Sequence, residues 1–255
     1  MTPSSIAARP AILDDKVLRE IHPDDGMLPK KGPGHVEHYF ACGRDAIAKI
    51  CGILATSQIA APTSVLDFAC GYGRVARYIR AAFPEARLFA ADVNRNGVNH
   101  CALSFGADPI FSTPNLDALS LPKAVSLIWC GSLMTHLAED GARKLLQFFH
   151  RSLEPGGVAV FTCHGRYTAS FWNRGKWPYN IGEEQMKALH DAYGRHEYGC
   201  AEQGRIQGYG ISITPVTWIM DQLPLFPGTR LISLIEQGWD DHQDIVAIRK
   251  ALPRR

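Results

Sequence analysis

No apolar run in the 255-residue sequence approaches the roughly 18 residues that a bilayer-spanning helix needs, which argues against a membrane protein. The opening MTPSSIAARP lacks the charged and apolar blocks of a secretory leader, so a cytoplasmic location is expected. Nor is there a surplus of either charge. With 27 Lys and Arg against 25 Asp and Glu the formal charge is +2, too balanced for a footprint on nucleic acid or anionic lipid, so small soluble partners are favoured. The seven cysteines are odd in number and never form a Cys-x-x-Cys pair, which argues against a disulfide framework or a zinc knuckle. His35, Glu37 and His38 lack a further ligand at fixed spacing and read as a helix surface; no metal is expected. There is no internal repeat, and nothing points to an oligomeric state.

What is present is 46% hydrophobic residues, enough for one large core. The first thirty-odd residues include IHPDDGMLPKKGPGH, whose Pro, Gly and charge cannot sustain a helix; residues 1–34 are expected to be an arm. From Val36 to Leu54 apolar residues recur at helical spacing, and Pro62 bars continuation. Short apolar runs then alternate with amphipathic segments. SVLDF, RLFAAD, PIF, AVSLIWC and GVAVFTC read as strands; RVARYIRAAF, NGVNHCALSF and AEDGARKLLQFFHRSL read as helices between them. This rhythm predicts βαβ units on a doubly wound, mostly parallel α/β sheet. After Cys163 it breaks in a Gly- and aromatic-rich stretch with FWNRGKWPYN and a helix in EEQMKALHDAY, an insertion over 165–210 of the kind that shapes a site. TPVTWIMDQL closes as a helix, and RLISLIEQG with QDIVAIRK as an antiparallel hairpin at the sheet edge.

Chemistry concentrates in VLDFACGYGRVARYI, where a strand delivers Asp67, Gly71 and Gly73 to the start of a helix. The glycines let the backbone turn and approach a ligand, and the helix offers unpaired N–H groups. Gly71, Gly73 and Ala76 also satisfy the dinucleotide fingerprint G-x-G-x-x-G/A. Asp67 discriminates: a carboxylate here repels a pyrophosphate and attracts an ammonium or sulfonium, at about 4 kcal/mol for a contact of about 4 Å before desolvation. The alternative role for Asp67 is capping the following helix. Asp92 closes the second predicted strand, where an acidic side chain accepts from both ribose hydroxyls or caps the next helix. Asp117 either takes an adenine amino group or is an exposed loop carboxylate.

These residues resemble the class I S-adenosylmethionine-dependent methyltransferases, whose pattern is D-x-G-x-G-x-G followed by an acidic residue closing the second strand. Here the motif runs D-F-A-C-G-Y-G from Asp67 to Gly73, with Ala69 in place of the first glycine. GSLMTHL (131–137) resembles the S-x-x-T-H-L segment of one bacterial branch, and LEPGGVAVFTCHG (153–165) the L-x-P-G-G turn into the fifth strand. The likeness covers about residues 35–250 and is weakest over 165–210. Two features depart from it. The acidic residue opening the fourth strand is missing from LPKAVSLIW, and the absence of N-P-P-[YF] argues against amino-methylating enzymes that use that tetrapeptide.

The resemblance implies a Rossmann-like fold of seven strands over residues 35–255, with S-adenosylmethionine as cofactor and S-adenosylhomocysteine as product. The expected cofactor set is Asp67, Ala69, Gly71, Gly73, Asp92, Val93, Leu116, Asp117, Cys130 and His136. Transfer from a sulfonium is an in-line displacement, so a hydroxyl acceptor needs alignment and a base, for which His136 and then His164 are the candidates. His136 alternatively orients its loop or holds cofactor. Tyr39, Trp172, Trp177 and Tyr209 are the expected acceptor contacts, and Gly43 with Tyr39 is expected near the methionine end of the cofactor. Phe171, Trp172, Trp177 and Tyr179, among Arg166, Arg174 and Lys176, form either a lid over the acceptor or a satellite core. The expected reaction is methylation of a small molecule or glycan, with oxygen favoured. An NAD-dependent oxidoreductase and a non-catalytic S-adenosylmethionine-binding module are the alternatives.

Overall fold

The computed structural model describes residues 1–28, 34–172, 179, 181–204 and 207–252, with backbone alone at 171 and 172. The chain forms two compact units, the first of residues 1–115 and 119–130, the second of 116–118 and 131–255.

In the first unit the arm is not helix-free. α1 (Pro3–Ala8) starts where the Thr2 hydroxyl accepts from the Ser5 amide and Pro3 takes a position whose N–H has no helical partner. A 3₁₀ turn over Pro10–Lys16 follows, and Ile6 and Leu13 are buried. The helix-breaking composition belongs to the residues further on. Asp14 accepts from Arg44 Nε and from the Tyr78 hydroxyl, both at 3.0 Å, so this turn is tied into the unit. α2 (His35–Thr56) buries the face carrying Tyr39, Ile47, Ile50 and Leu54, as its spacing predicts.

β1 (Ser64–Phe68), α3 (Ala76–Ala82), β2 (Arg87–Asp92), α4 (Arg95–Phe105), β3 (Asp108–Phe111) and β4 (Val125–Cys130) then alternate as the sequence predicts. β1 is buried along its whole length because it pairs in parallel with β2 on one side and β4 on the other. α4 is capped by the Asn94 side chain, which accepts from the amides of Asn96 and Gly97, and it ends at Gly106 in the left-handed region.

The second unit opens with α5 (Glu139–Ser152), with Glu139 and Asp140 in its first turn and His150 and Arg151 in its last, complementing the helix dipole at both ends. β5 (Leu153–Cys163), α6 (Arg166–Trp172) and α7 (Glu183–Gly194) follow. β6 (Gly199–Glu202) and β7 (Gly210–Ile213) pair antiparallel as a small separate sheet. These two strands were not anticipated, because four residues are too few to show an alternation. Ala169, Leu189, Ala201, Ile211 and Ile213 form a satellite core there, with Tyr179 packed against it. α8 (Val216–Gln222), β8 (Thr229–Trp239) and β9 (Gln243–Lys250) complete the chain, β9 pairing antiparallel with both β5 and β8.

The main sheet has seven strands in the order β3-β2-β1-β4-β5-β9-β8, mostly parallel, with the hairpin at its edge. The order reverses between β1 and β4, and in such sheets the carboxyl ends of the strands flanking the reversal are where ligands bind. Asp67 and Cys130 sit at those two ends.

Candidate functional site

The turn after β1 is fixed from several directions. The Cys70 amide donates to the Ala91 carbonyl at 3.1 Å, and the Gly71 amide to Asp92 Oδ2 at 2.8 Å. Asp92 Oδ1 accepts from the Asn94 amide at 2.8 Å, so this carboxylate fastens the turn to the end of β2. Each oxygen keeps a second lone pair with which to accept a hydroxyl. Gly71 and Gly73 have φ of +52° and +82°, and a Cβ on Gly71 would meet nothing within 4 Å, leaving open space beside the backbone. Ala69 also lies in the left-handed region, at φ +62°. That geometry explains why the resembling motif has glycine there, and Ala69 holds it at a cost of about 1 kcal/mol.

Asp67 is 2% exposed, and its Oδ2 has no hydrogen-bond partner. Burial, with the nearby Asp92 charge, pushes its carboxyl up to about 8, while the Ala76 amide, donating to it at the start of α3, pulls the other way. The Ala76 contact is the helix-capping role that the sequence also allows for Asp67. A buried carboxyl oxygen lacking a partner suits an ammonium donor, and with the open face of Gly71 it fits an amino-acid-bearing nucleoside such as S-adenosylmethionine.

In the second unit two histidines differ sharply. His136 Nδ1 lies 2.8 Å from the Gly210 carbonyl, which only accepts, so the hydrogen sits on Nδ1 and Nε2 carries the lone pair. Burial lowers its pKa, leaving a neutral imidazole at pH 7. Its ring stacks on Tyr209 with centroids 5.1 Å apart at 13°. His164 is enclosed, with Nδ1 donating to the Ser212 carbonyl at 2.9 Å and Nε2 at 2.9 Å from the Tyr179 hydroxyl. Burial drives it down to about 3. The Tyr179 oxygen also lies 3.0 Å from His242 Nε2.

The sequence of residues 65–157 matches the family model described as a methyltransferase domain. That match lies within the chain's Rossmann-like sheet, a fold shared with solved methyltransferases. Among curated proteins none matches the sequence. Solved structures with a similar fold include the N-methyltransferase NodS from Bradyrhizobium japonicum WM9 in complex with S-adenosyl-L-homocysteine, at 14% identity and TM-score 0.51, covering 94% of this chain and 97% of that one. The plantazolicin methyltransferase BpumL, in complex with a monoazolic desmethylPZN analogue and SAH, is similar at 14% identity and TM-score 0.57, over 98% and 97% of the two chains. An O-methyltransferase family protein from Burkholderia thailandensis is similar at 9% identity and TM-score 0.51, over 86% of this chain and 61% of that one. The dinucleotide reading of the turn is thereby disfavoured.

The other residues singled out from the sequence have varied surroundings. Tyr39 is enclosed, its hydroxyl donating to Asp25 Oδ2 at 2.7 Å and accepting from Arg77 Nη2 at 3.2 Å, so it cannot present itself to an acceptor. Gly43 serves the packing of α2: a Cβ there would stand 2.5 Å from the Arg74 carbonyl and from the Tyr78 ring. His164 has both ring nitrogens engaged, by the Ser212 carbonyl and the Tyr179 hydroxyl. Val93 is 61% exposed, while Cys130 is buried and its thiol pushed well up by burial. Leu116 and Asp117 belong to the second unit, where Arg151 Nη2 donates to the Leu116 carbonyl and Lys144 Nζ lies 3.8 Å from Asp117. Trp177, Arg174, Lys176 and the side chains of Phe171 and Trp172 lie outside the described residues. Arg166 pairs with both oxygens of Glu236, at 2.8 and 2.6 Å. Sequence reasoning did not single out Arg77 or His22, which no spacing rule marks.

Proposed function

We propose that this S-adenosylmethionine-dependent methyltransferase moves a methyl group to a hydroxyl of a small-molecule or glycan acceptor, in the cytoplasm, with His136 as the base. The observation that carries the oxygen preference is the tautomer of His136. The Gly210 carbonyl holds the hydrogen on Nδ1, burial keeps the ring neutral, and Nε2 is the basic atom. Similar folds include both an N-methyltransferase and an O-methyltransferase family protein, so the fold does not choose the atom. The choice rests on the base. That BpumL is seen with an azole analogue of its substrate supports a small organic acceptor.

When bound, S-adenosylmethionine supplies an electrophilic methyl on a sulfonium and leaves as S-adenosylhomocysteine. Asp67 Oδ2 takes the ammonium, Asp92 accepts from the ribose, and Gly71 admits the ligand beside the backbone. Val93, Leu116, Asp117 and Cys130 complete the cofactor set as proposals from the resemblance. Tyr209, stacked on His136, offers a ring face for the acceptor, and Nε2 takes the hydroxyl proton as the new C–O bond forms. Trp172 and Trp177, in the 165–210 insertion, are proposed to complete the acceptor side; residues 1–34 are proposed to be an appendage of the 35–255 domain.

The test is thermal melting with S-adenosylhomocysteine or with NAD, followed by methyl turnover on a panel of alcohols, sugars and amines. A hundredfold excess over Kd should stabilise by about 2.7 kcal/mol, a rise of several degrees. A rise with S-adenosylhomocysteine and turnover on hydroxyl compounds support the reading. A rise with NAD alone overturns it, and binding without turnover across the panel favours a non-catalytic binding module.

A further inference from the structure

Arg77 in α3 is a cation buried at 2% exposure, and its donors reach chain far apart in sequence. Nε donates to the Gly73 carbonyl at 3.1 Å, and Nη1 to the carbonyls of Leu18 and Glu20 at 2.7 and 2.9 Å. Nη2 donates to the Tyr39 hydroxyl at 3.2 Å, and Tyr39 donates in turn to Asp25 Oδ2 at 2.7 Å. The countercharge for a buried guanidinium therefore comes from Asp25, one hydroxyl away, whose Oδ1 also accepts from the Met27 amide at 2.9 Å. A second contact is independent of the arginine. His22 stacks on Tyr72, the residue between Gly71 and Gly73, with centroids 4.6 Å apart at 20°, and meets His100 edge-on at 5.0 Å.

Residues 18–25 are thus fastened to the turn at both its carbonyl and its ring. Lifting them away would strip Arg77 of two carbonyl partners and its countercharge while leaving it in an apolar surround of Tyr39, Phe40 and Phe105. The closed arrangement is favoured as a unit, so it opens as a unit. We propose that residues 18–25 are a strap across the 71–73 turn, that Arg77 and His22 are the positioning residues that fasten it, and that cofactor exchange requires it to open. This rests on the turn being the S-adenosylmethionine site.

The experiment is the release rate of S-adenosylhomocysteine from the full chain, by surface plasmon resonance, in wild type, His22→Ala and Arg77→Lys. Hydrogen exchange over 18–25, with and without ligand, runs alongside. Losing the His22–Tyr72 stack should speed release about three- to tenfold, the rate equivalent of one aromatic pair, with the ligand-free melting temperature lowered by only about 2–4 °C. Lysine, a point charge without the planar fork, cannot hold Gly73, Leu18 and Glu20 together and should release faster still. Saturating ligand should slow exchange over 18–25. If Arg77→Lys fails to fold, His22→Ala alone decides. Binding with an unchanged release rate in His22→Ala overturns the strap only; failure of wild type to bind S-adenosylhomocysteine overturns the cofactor reading and the strap with it.

Discussion

Acidifying the solution should weaken cofactor binding through Asp67, while protonation of that same carboxyl favours the folded chain. The carboxyl is pushed up to about 8 by burial. If the ligand ammonium pairs only with the charged form, affinity falls by about 16-fold from pH 8.0 to 6.5, the slope approaching about tenfold per unit only at the lower end. For stability the sign is opposite. A carboxyl raised in the folded state contributes stability that is fully present below the unfolded value of about 3.9 and is lost as pH rises through about 8. Asp244, raised to about 6, acts in the same sense, while His164, lowered to about 3, destabilises as pH falls below about 6.5. Burial lowers His100, His136 and His150 as well, and they act in the sense of His164, so across the window from about pH 6.5 to 8 the Asp67 contribution is read as the difference between wild type and Asp67→Asn. Isothermal titration with S-adenosylhomocysteine across that window measures the affinity, and Asp67→Asn should bind weakly with a flat profile. The asparagine variant also carries any titration of the ligand itself. An equal slope in wild type and Asp67→Asn, or a flat wild type, would refute the pairing.

Replacing Ala69 by glycine relieves a left-handed φ and should stabilise by about 1 kcal/mol, a rise of about 2–4 °C in Tm by calorimetry; an unchanged Tm would mean the strain is absent. Gly97→Ala should do the reverse and weaken S-adenosylhomocysteine binding, because its Cβ would stand 2.3 Å from the Gly71 carbonyl oxygen, and overpacking of this kind costs about 1–3 kcal/mol. His136→Gln should lower kcat by about 10²–10⁴ on a hydroxyl acceptor and abolish the acid limb of kcat/KM. In wild type that limb should lie below the usual histidine range of about 6.5, because burial lowers the ring and only the neutral form is a base. Tyr209→Ala should raise the acceptor KM more than it lowers kcat; an unchanged KM would remove Tyr209 from the acceptor site.

The sheet was legible because its signals are periodic. Five apolar runs separated by amphipathic stretches leave few topologies, and the final hairpin pairs where RLISLIEQG and QDIVAIRK predict. The turn was legible because glycine is demanded by φ. What the sequence concealed is burial. Tyr39 was expected near the ligand because the corresponding helix of the resembling enzymes approaches the cofactor, yet its hydroxyl is consumed by Asp25 and Arg77 from segments 14 and 38 residues away. Asp67 was singled out by the motif, but its protonation state depends on full enclosure, which no motif encodes. His136 and His164 both follow strands. Only the small β6–β7 sheet, whose strands are too short to announce themselves, separates them: it offers Gly210 to the half-buried ring and Ser212 to the enclosed one.

The strained alanine bears on how the cofactor turn is built. A non-glycine residue at positive φ persists where its surroundings over-determine the backbone. The neighbours of Ala69 supply that determination: the Cys70 amide is held by Ala91, the Gly71 amide by Asp92, and the Gly73 carbonyl by Arg77. A turn pinned at three successive points does not need glycine's freedom at a fourth. It needs glycine at 71, where the face is open, and at 73, where a Cβ would stand 2.3 Å from the Phe105 ring. The loss of the motif's first glycine and the presence of a buried arginine without a direct acid are then connected, since Arg77 helps to fix the turn that Ala69 strains. On this argument Ala69→Gly should partly rescue the affinity lost in Arg77→Lys. Purely additive effects on S-adenosylhomocysteine Kd in the double variant would disconnect the two residues.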